Sequence, residues 1–548
     1  MKKLGSVIGI LLTLLMIAAE GVFAMTVLKS GLLPEKYRIP AVAVLILLPV
    51  ILAVLLWNMN HRIRFVIGLV LWFFVIAALI FGSFWIRNFS QKMSDIVETG
   101  AEIVKMSVYV RSDDPAENLE NTKGYKYGVL QSLDRENTDR LVKELEEEDG
   151  ISAETKEYTG IIQLVDGLRS GEVDAVIMNS AFMDVVSEME GYETVPQELR
   201  LLAEKNLEYQ VNAVTDADAA SQTMDGGKEP ELSDGMDADS AAEGHPETPA
   251  GSGSSVAASS QNGTGNESSS SEMPSSMNYG SDPEGVYTVY VSGIDSRDGM
   301  VARSRTDSNI LITANMNTKQ MLILSTPRDY YVPLSISGGA KDKLTHAGIY
   351  GIQVSMDTME MLYRTRIPWY VRVNFEGFTR IIDMLGGITV YSDYEFDSKN
   401  ILGYHFNQGE NQMNGEEALV FARERFSFQE GDRQRGKNQM AVIKGVLAKL
   451  DTTDVLTDFS KYLDALEGSF ETNITYDMIT DVVQKVIGNT GEWELFTYSV
   501  NGTGGNEVPY SLTSPVYVMI PDEATVDQAN ALINKVKNGE RLTEADVS

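Results

Sequence analysis

The sequence predicts an α/β protein carried on N-terminal transmembrane helices, and three observations predict it. Three apolar runs fill the first ninety residues, each close to the ~20 residues a helix needs to cross a bilayer. From about 104 to 211 short β-type runs alternate with amphipathic helical ones, the pattern of a sheet covered by helices. Between Asp295 and Gln439, aspartates and arginines recur at strand and helix spacings.

At 548 residues the chain is long enough for more than one domain with a core. A formal charge of -33 argues against nucleic acid as a partner, because that affinity rests on Lys and Arg contacts to phosphates. With no cysteine there are no disulfides, thiolate metal sites or Cys nucleophiles, and four histidines argue against a zinc site.

The apolar runs stand at 5–28, 39–57 and 65–86, separated by polar turns at 29–38 and 58–64. Together they make a multi-pass membrane region over 1–90. Lys2, Lys3, Arg62 and Arg64 would lie inside and Lys29, Lys36, Arg38, Arg87 and Lys92 outside, so the positive-inside rule does not decide the orientation. The first run also has the form of a signal peptide, with Lys2-Lys3 ahead of it and Val22-Phe23-Ala24 as a cleavage site. Retained or cleaved, the spans deliver the rest of the chain to the outer face of a cell membrane.

Residues 104–212 read as an α/β lobe. Strands are expected at 106–110, 125–130 and 173–178, and helices at 137–148 and 161–169. The runs Tyr127-Gly-Val-Leu-Gln-Ser132 and Leu168-Arg-Ser-Gly-Glu-Val-Asp-Ala-Val176 resemble one lobe of an extracellular solute-binding protein. Either a bound small ligand or a scaffold without one fits that resemblance, since a full cleft needs two lobes. Residues 213–284 turn to Ser, Gly, Asp, Glu and Ala, a composition that cannot offset its ordering entropy. A flexible coil of ~70 residues averages ~45 Å end to end, which would make it a tether.

The expected catalytic domain covers 285–540. The run Val286-Tyr-Thr-Val-Tyr-Val-Ser-Gly-Ile-Asp295 alternates as a strand and ends in Asp295. In extended backbone Arg305 and Asp307 share a face. The strand 320–325 leads into Pro327-Arg328-Asp329, and strand-end loops are where α/β folds place ligands. Arg423 and Arg425 would share one face of a further strand, with Glu424 turned away. Asp432, Arg435 and Gln439 fall at i, i+3 and i+7, on one side of a helix.

Magnesium is usually held by one or two carboxylates plus substrate phosphates. Asp295 and Asp307 suit that role. Guanidinium groups bind phosphate oxygens bidentately, and Arg305, Arg328, Arg423, Arg425 and Arg435 would surround a diphosphate. Any one of these charges alone reads as a surface ion pair, and Asp329 and Glu424 as partners for neighbouring arginines. His346 is open between a substrate contact and a structural hydrogen bond. The apolar stripes at 354–362 and 378–385 would line a prenyl groove or pack in a core.

Gly293-Ile-Asp295, Ser304-Arg-Thr-Asp-Ser308, Ser325-Thr-Pro-Arg-Asp329, Lys343-Leu-Thr-His-Ala347, Val373-Asn-Phe-Glu-Gly-Phe378, Asp383-Met-Leu-Gly-Gly-Ile388 and the 422–439 stretch resemble, in order and spacing, the LytR-CpsA-Psr family. The resemblance implies a mixed β-sheet flanked by helices. It also implies an Mg2+-dependent phosphotransferase that moves a glycopolymer, such as teichoic acid or capsule, from undecaprenyl diphosphate to peptidoglycan. By position, Asp295 and Asp307 would be metal ligands. Arg305, Arg328, Arg423, Arg425, Arg435 and Gln439 would line the diphosphate site, with Asp432 in support. Thr326 where Ile is frequent, and a looser Ala347-Gly-Ile-Tyr350, leave the lining of the lipid channel open. The rival readings are a polyprenyl-diphosphate hydrolase, a ligand sensor without catalysis, and a transcriptional regulator.

Overall fold

The computed structural model describes residues 2–31, 33, 35–57, 62–98, 101–210, 279, 282–294, 303–450, 470–475, 478–482, 485 and 491–548. Asp295 and nearly all of the 213–284 segment lie outside them.

The first three helices are α1 (Lys2–Lys29), α2 (Glu35–Trp57) and α3 (Arg62–Glu98), packed against one another. Each is long and apolar enough to cross a membrane, over Gly9–Lys29, Tyr37–Val54 and Val66–Asn88. Leu14, Ile46, Phe73 and Phe81 point outward, as side chains do on helices apolar all round that face lipid.

The lobe is a five-stranded sheet in the order β3-β2-β4-β1-β5. Its strands are β1 (Ala101–Arg111), β2 (Lys126–Leu130), β3 (Glu154–Tyr158), β4 (Ala175–Asn179) and β5 (Leu199–Gln210). Strands β2, β3 and β4 run parallel, whereas β1 is antiparallel to both β4 and β5. Helices α4 (Arg135–Glu147) and α5 (Ile161–Arg169), with the short α6 (Ala181–Ser187) and α7 (Val195–Glu198), complete it. Ile161, Leu164, Val165 and Leu168 of α5 are buried at i, i+3, i+4 and i+7, the spacing of one helix face.

The second sheet has six strands in the order β16-β11-β6-β7-β8-β17. In chain order the strands are β6 (Val286–Ile294), β7 (Thr306–Asn315), β8 (Gln320–Thr326), β9 (Tyr331–Pro333), β10 (Lys341–Lys343), β11 (Trp369–Asn374), β12 (Ile388–Ser392), β13 (Phe396–Asp397), β14 (His405–Phe406), β15 (Gly409–Met413), β16 (Phe470–Thr472), β17 (Glu494–Ser499), β18 (Gly502–Glu507) and β19 (Val516–Pro521). An antiparallel centre, β6-β7-β8, is flanked by the parallel partners β11 and β17, so the sheet is mixed.

Alternation along β7 and β8 feeds two cores. Leu311, Leu322 and Leu324 face α8 (Ile352–Tyr363) and the C-terminal helix Glu523–Lys537, through Met356, Met359, Ala529 and Ile533. Ile310 and Ile323 face Met440 on the opposite layer. In chain order α8 is followed by α9 (Phe375–Met384), α10 (Gly415–Arg423) and α11 (Asp432–Leu450), which carries Met440 and forms that layer, so the C-terminal helix is α12. The apolar stripe at 354–362 is thus core. Phe378 and Ile382 from the second stripe join another buried cluster with Val390 and Phe421.

The strand expected through Arg423 and Arg425 is instead the end of α10. Asn414 and Glu417 form a reciprocal capping box that starts this helix, and Ala418, Phe421 and Ala422 bury at helical spacing. The helix stops at Arg423 and Glu424 is already extended, so Arg423 and Arg425 share no strand face.

Candidate active site

Strand β7 carries a bulge at its start. Gly293 pairs with Ser308 and Ile294 with Thr306, leaving Asp307 as the unpaired extra residue. Bulges re-aim side chains and cluster beside functional sites. The bulge breaks the simple alternation expected to set Arg305 beside Asp307.

Asp307 meets Arg328, which follows β8: Nη1 of Arg328 donates to Asp307 Oδ1 at 2.8 Å. The turn bearing Arg328 is fixed by backbone bonds from Thr345 N to the Arg328 carbonyl and from Met519 N to the Asp329 carbonyl. Burial alone would raise the Asp307 carboxyl, but Arg328, Arg435 and Arg305 outweigh it and hold the pKa below the usual carboxylate range.

Helix α11 begins at this point. Its first residue, Asp432, pairs with Arg435, whose Nη2 donates to the Asp307 carbonyl at 3.5 Å, and Ser308 donates to Gln439 Oε1 at 3.0 Å. Gly436 lets the helix approach β8 this closely, since a Cβ there would stand 2.5 Å from Ser325 Oγ. Asp307, Arg328, Asp432, Arg435 and Gln439 therefore line one cleft, closed by Ser325 and Ser499. The N-terminus of α11 opens on it, and helix N-termini favour anions.

Arg425 lies just after α10. Burial and the charges of Arg328 and Arg435 lower its pKa, and among the described residues it makes no ion pair. Cations gathered in this way are poised for an anion. Arg423 stacks its guanidinium on Phe375 at 4.1 Å, and it is not among the described residues that line the cleft. Among the described residues Glu424 pairs with no arginine. It is fully buried and accepts from the amides of Lys399, Asn400, Phe426 and Ser427, which anchors the Arg425 loop.

His346 is buried, with Nδ1 2.7 Å from Asp342 and 3.0 Å from Ser511 Oγ, a structural position. Arg305 turns to the lobe and pairs with Glu188 and Asp184. Glu188 and Lys343, 3.4 Å apart, were not legible as site residues, because Glu188 sits 117 residues before Arg305. Lys343 stands in a motif quoted above only for its order.

The chain belongs to the LytR_cpsA_psr family, whose model matches residues 250–532. It is 36% identical over 197 residues to the polyisoprenyl-teichoic acid–peptidoglycan teichoic acid transferase TagU of Bacillus licheniformis, covering 36% of this chain and 62% of that protein. To TagU of Bacillus subtilis it is 33% identical over 219 residues, covering 40% and 69%. The chain thus spans less than two thirds of the B. licheniformis relative. The crystal structure of B. subtilis TagV aligns with a TM-score of 0.40 at 26% identity, covering 47% of this chain and 98% of that one. The lobe at 104–212 lies outside the family match.

Proposed function

We propose that this chain is a membrane-anchored phosphotransferase, its catalytic domain outside the cell, that moves a glycopolymer from a polyprenyl diphosphate carrier to peptidoglycan. The observation that carries the reading is the cleft in which Arg328 and Arg435 converge on Asp307 at the mouth of a helix N-terminus, with Arg425 close enough to both to feel their charge. Family membership and the TagU relatives support it.

A wall sugar hydroxyl attacks the phosphate next to the glycopolymer, and the lipid phosphate leaves. Arg328, Arg425 and Arg435 neutralise the charge on the non-bridging oxygens as it redistributes, the main contribution a protein makes to phosphoryl transfer. Gln439, fixed by Ser308, and Asp432, which orients Arg435, hold the geometry. Arg305 reaches the same substrate once released from Glu188. In this reading Arg423 braces the loop through Phe375.

A hard oxygen donor at the cleft mouth fits Mg2+, which is satisfied by few carboxylates when substrate phosphates complete its shell. Asp307 would hold it together with Asp295, and the ion would supply charge neutralisation across the diphosphate. Among the described residues, no group of three or more carboxylates or histidines forms a metal site without substrate.

The test is a transfer assay on the full chain in detergent, with a synthetic undecaprenyl diphosphate glycan and peptidoglycan fragments, with and without Mg2+. A Mg2+-dependent adduct that disappears in Asp307→Ala is expected. Free glycan without adduct would make the protein a hydrolase, and an active Asp307→Ala would refute the site.

A further inference from the structure

The lobe's likeness to half of a solute-binding protein left its ligand edge unexplained. In parallel α/β sheets that edge is the set of loops after the C-terminal strand ends. Here these loops are covered by the protein itself. Gly160, after β3, abuts Thr513 so closely that a Cβ would meet its methyl at 2.4 Å. Phe182, after β4, packs edge-on against Tyr350 at 6.3 Å. Leu130 and Val186 share one buried cluster with Ile349 and Leu512 of the catalytic domain.

From the end of α6 this covered edge sends one carboxylate to the cations at the rim of the cleft, of which Arg328 also lines it. Glu188 pairs with Arg305, lies 3.4 Å from Lys343 Nζ and 4.0 Å from Arg328 Nη2. Three cations from three separate segments of the catalytic domain thus converge on a single side chain of the lobe. Burial would raise the Glu188 carboxyl, yet Arg305, Lys343 and Arg328 bring it down to about 2. An anion bound this way satisfies the same cations a substrate phosphate needs. Arg328 already gives Nη1 to Asp307, so Glu188 and a diphosphate compete for its remaining donors. The Glu188 side chain is one third exposed, so leaving these cations takes only a rotation at the end of a short helix.

We propose that Glu188 is an internal stand-in for a substrate phosphate: the lobe closes the cleft in the resting protein, and a phosphate-bearing substrate opens it by displacing that carboxylate. The lobe then acts as a selective cover, yielding to ligands charged enough to compete for Arg305, Arg328 and Lys343 and excluding neutral glycans. This rests on the diphosphate reading of the cleft.

The experiment uses the full chain in detergent with Mg2+ and inorganic pyrophosphate as the probe, by calorimetry, comparing wild type with Glu188→Gln. Glu188→Gln should bind about fivefold or more tightly, the lower end of ordinary coupling between sites. In the wild type, pyrophosphate should speed amide exchange in residues 181–189, a response that a merely structural Glu188 would not give. Equal or weaker binding by folded Glu188→Gln overturns the proposal, as does unchanged exchange in a wild type that binds. Failure of both proteins to bind pyrophosphate overturns the diphosphate reading itself.

Discussion

Replacing Glu102 with leucine should loosen the junction between the lobe and the catalytic sheet by about 4 kcal/mol. Glu102 is 2% exposed at the start of β1. Its Oε1 accepts from Arg372 Nη1 at 2.7 Å and from the Ile352 amide at 2.9 Å, and its Oε2 accepts from Arg303 Nε at 2.8 Å. Arg372 is fully buried, and among the described residues its other carboxylate partner is Glu471, at 3.5 Å. Burial works against the charged form of Glu102, but Arg372 and Arg303 keep its pKa low.

Hydrogen bonds to charged groups contribute about 1.5–3 kcal/mol each. Three on one carboxylate are not additive, and leucine recovers about 1.5–3 kcal/mol of apolar burial. Removing one partner of a buried pair costs about 3–5 kcal/mol, which brackets the estimate. Amide exchange in β1 and β11 of the full chain should then speed up about a thousandfold, since each 1.4 kcal/mol is tenfold. The double variant Glu102→Leu with Arg372→Leu should regain most of the protection, because no charge is left stranded. A change below tenfold in the single variant would show that the network does not hold the junction.

Arg425→Gln should raise the apo protein's stability by about 0.5–1 kcal/mol, since it relieves repulsion from Arg328 and Arg435. It should also weaken pyrophosphate binding about tenfold; a drop in Tm would reveal a structural role instead. For pH, a carboxyl depressed in the folded state adds stability above its unfolded pKa and loses it as pH falls. Glu188, shifted from 4.5 to about 2, should leave lobe docking constant down to about pH 5 and weaken it between 4.5 and 2. Thermal unfolding of wild type should fall more steeply than that of Glu188→Gln across this window, and parallel curves would refute the assignment.

The spans and the central strands were legible because their physics is local. A bilayer demands a fixed apolar length, and β6 buries every second residue from Val286 to Ile294. The edge strands β3 and β5 escaped notice, since sheet edges carry polar residues that blur alternation. In Ala-Arg-Glu-Arg the alternating charges imitated a strand across a helix end. The Asn414 to Glu417 spacing was the signal that a helix had begun. Asp432, Arg435 and Gln439 were readable because one helix carries all three. Glu188 was not, because its contacts with Arg305, Arg328 and Lys343 join two separate sheets. The bulge at Asp307 likewise depends on a partner strand that no local pattern specifies.

Helix α3 outlasts its membrane span, running on from Asn88 to Glu98, about 15 Å of helix at 1.5 Å per residue. Strand β1 follows almost at once, and Glu102 near its start is locked to Arg372 in the catalytic sheet. A short stretch of helix and strand therefore leads from the span to the sheet that carries the cleft. Working height becomes a property of this mast, as the height of a lamp is a property of its pole. Each residue added to or removed from α3 beyond Asn88 should raise or lower the sheet by about 1.5 Å.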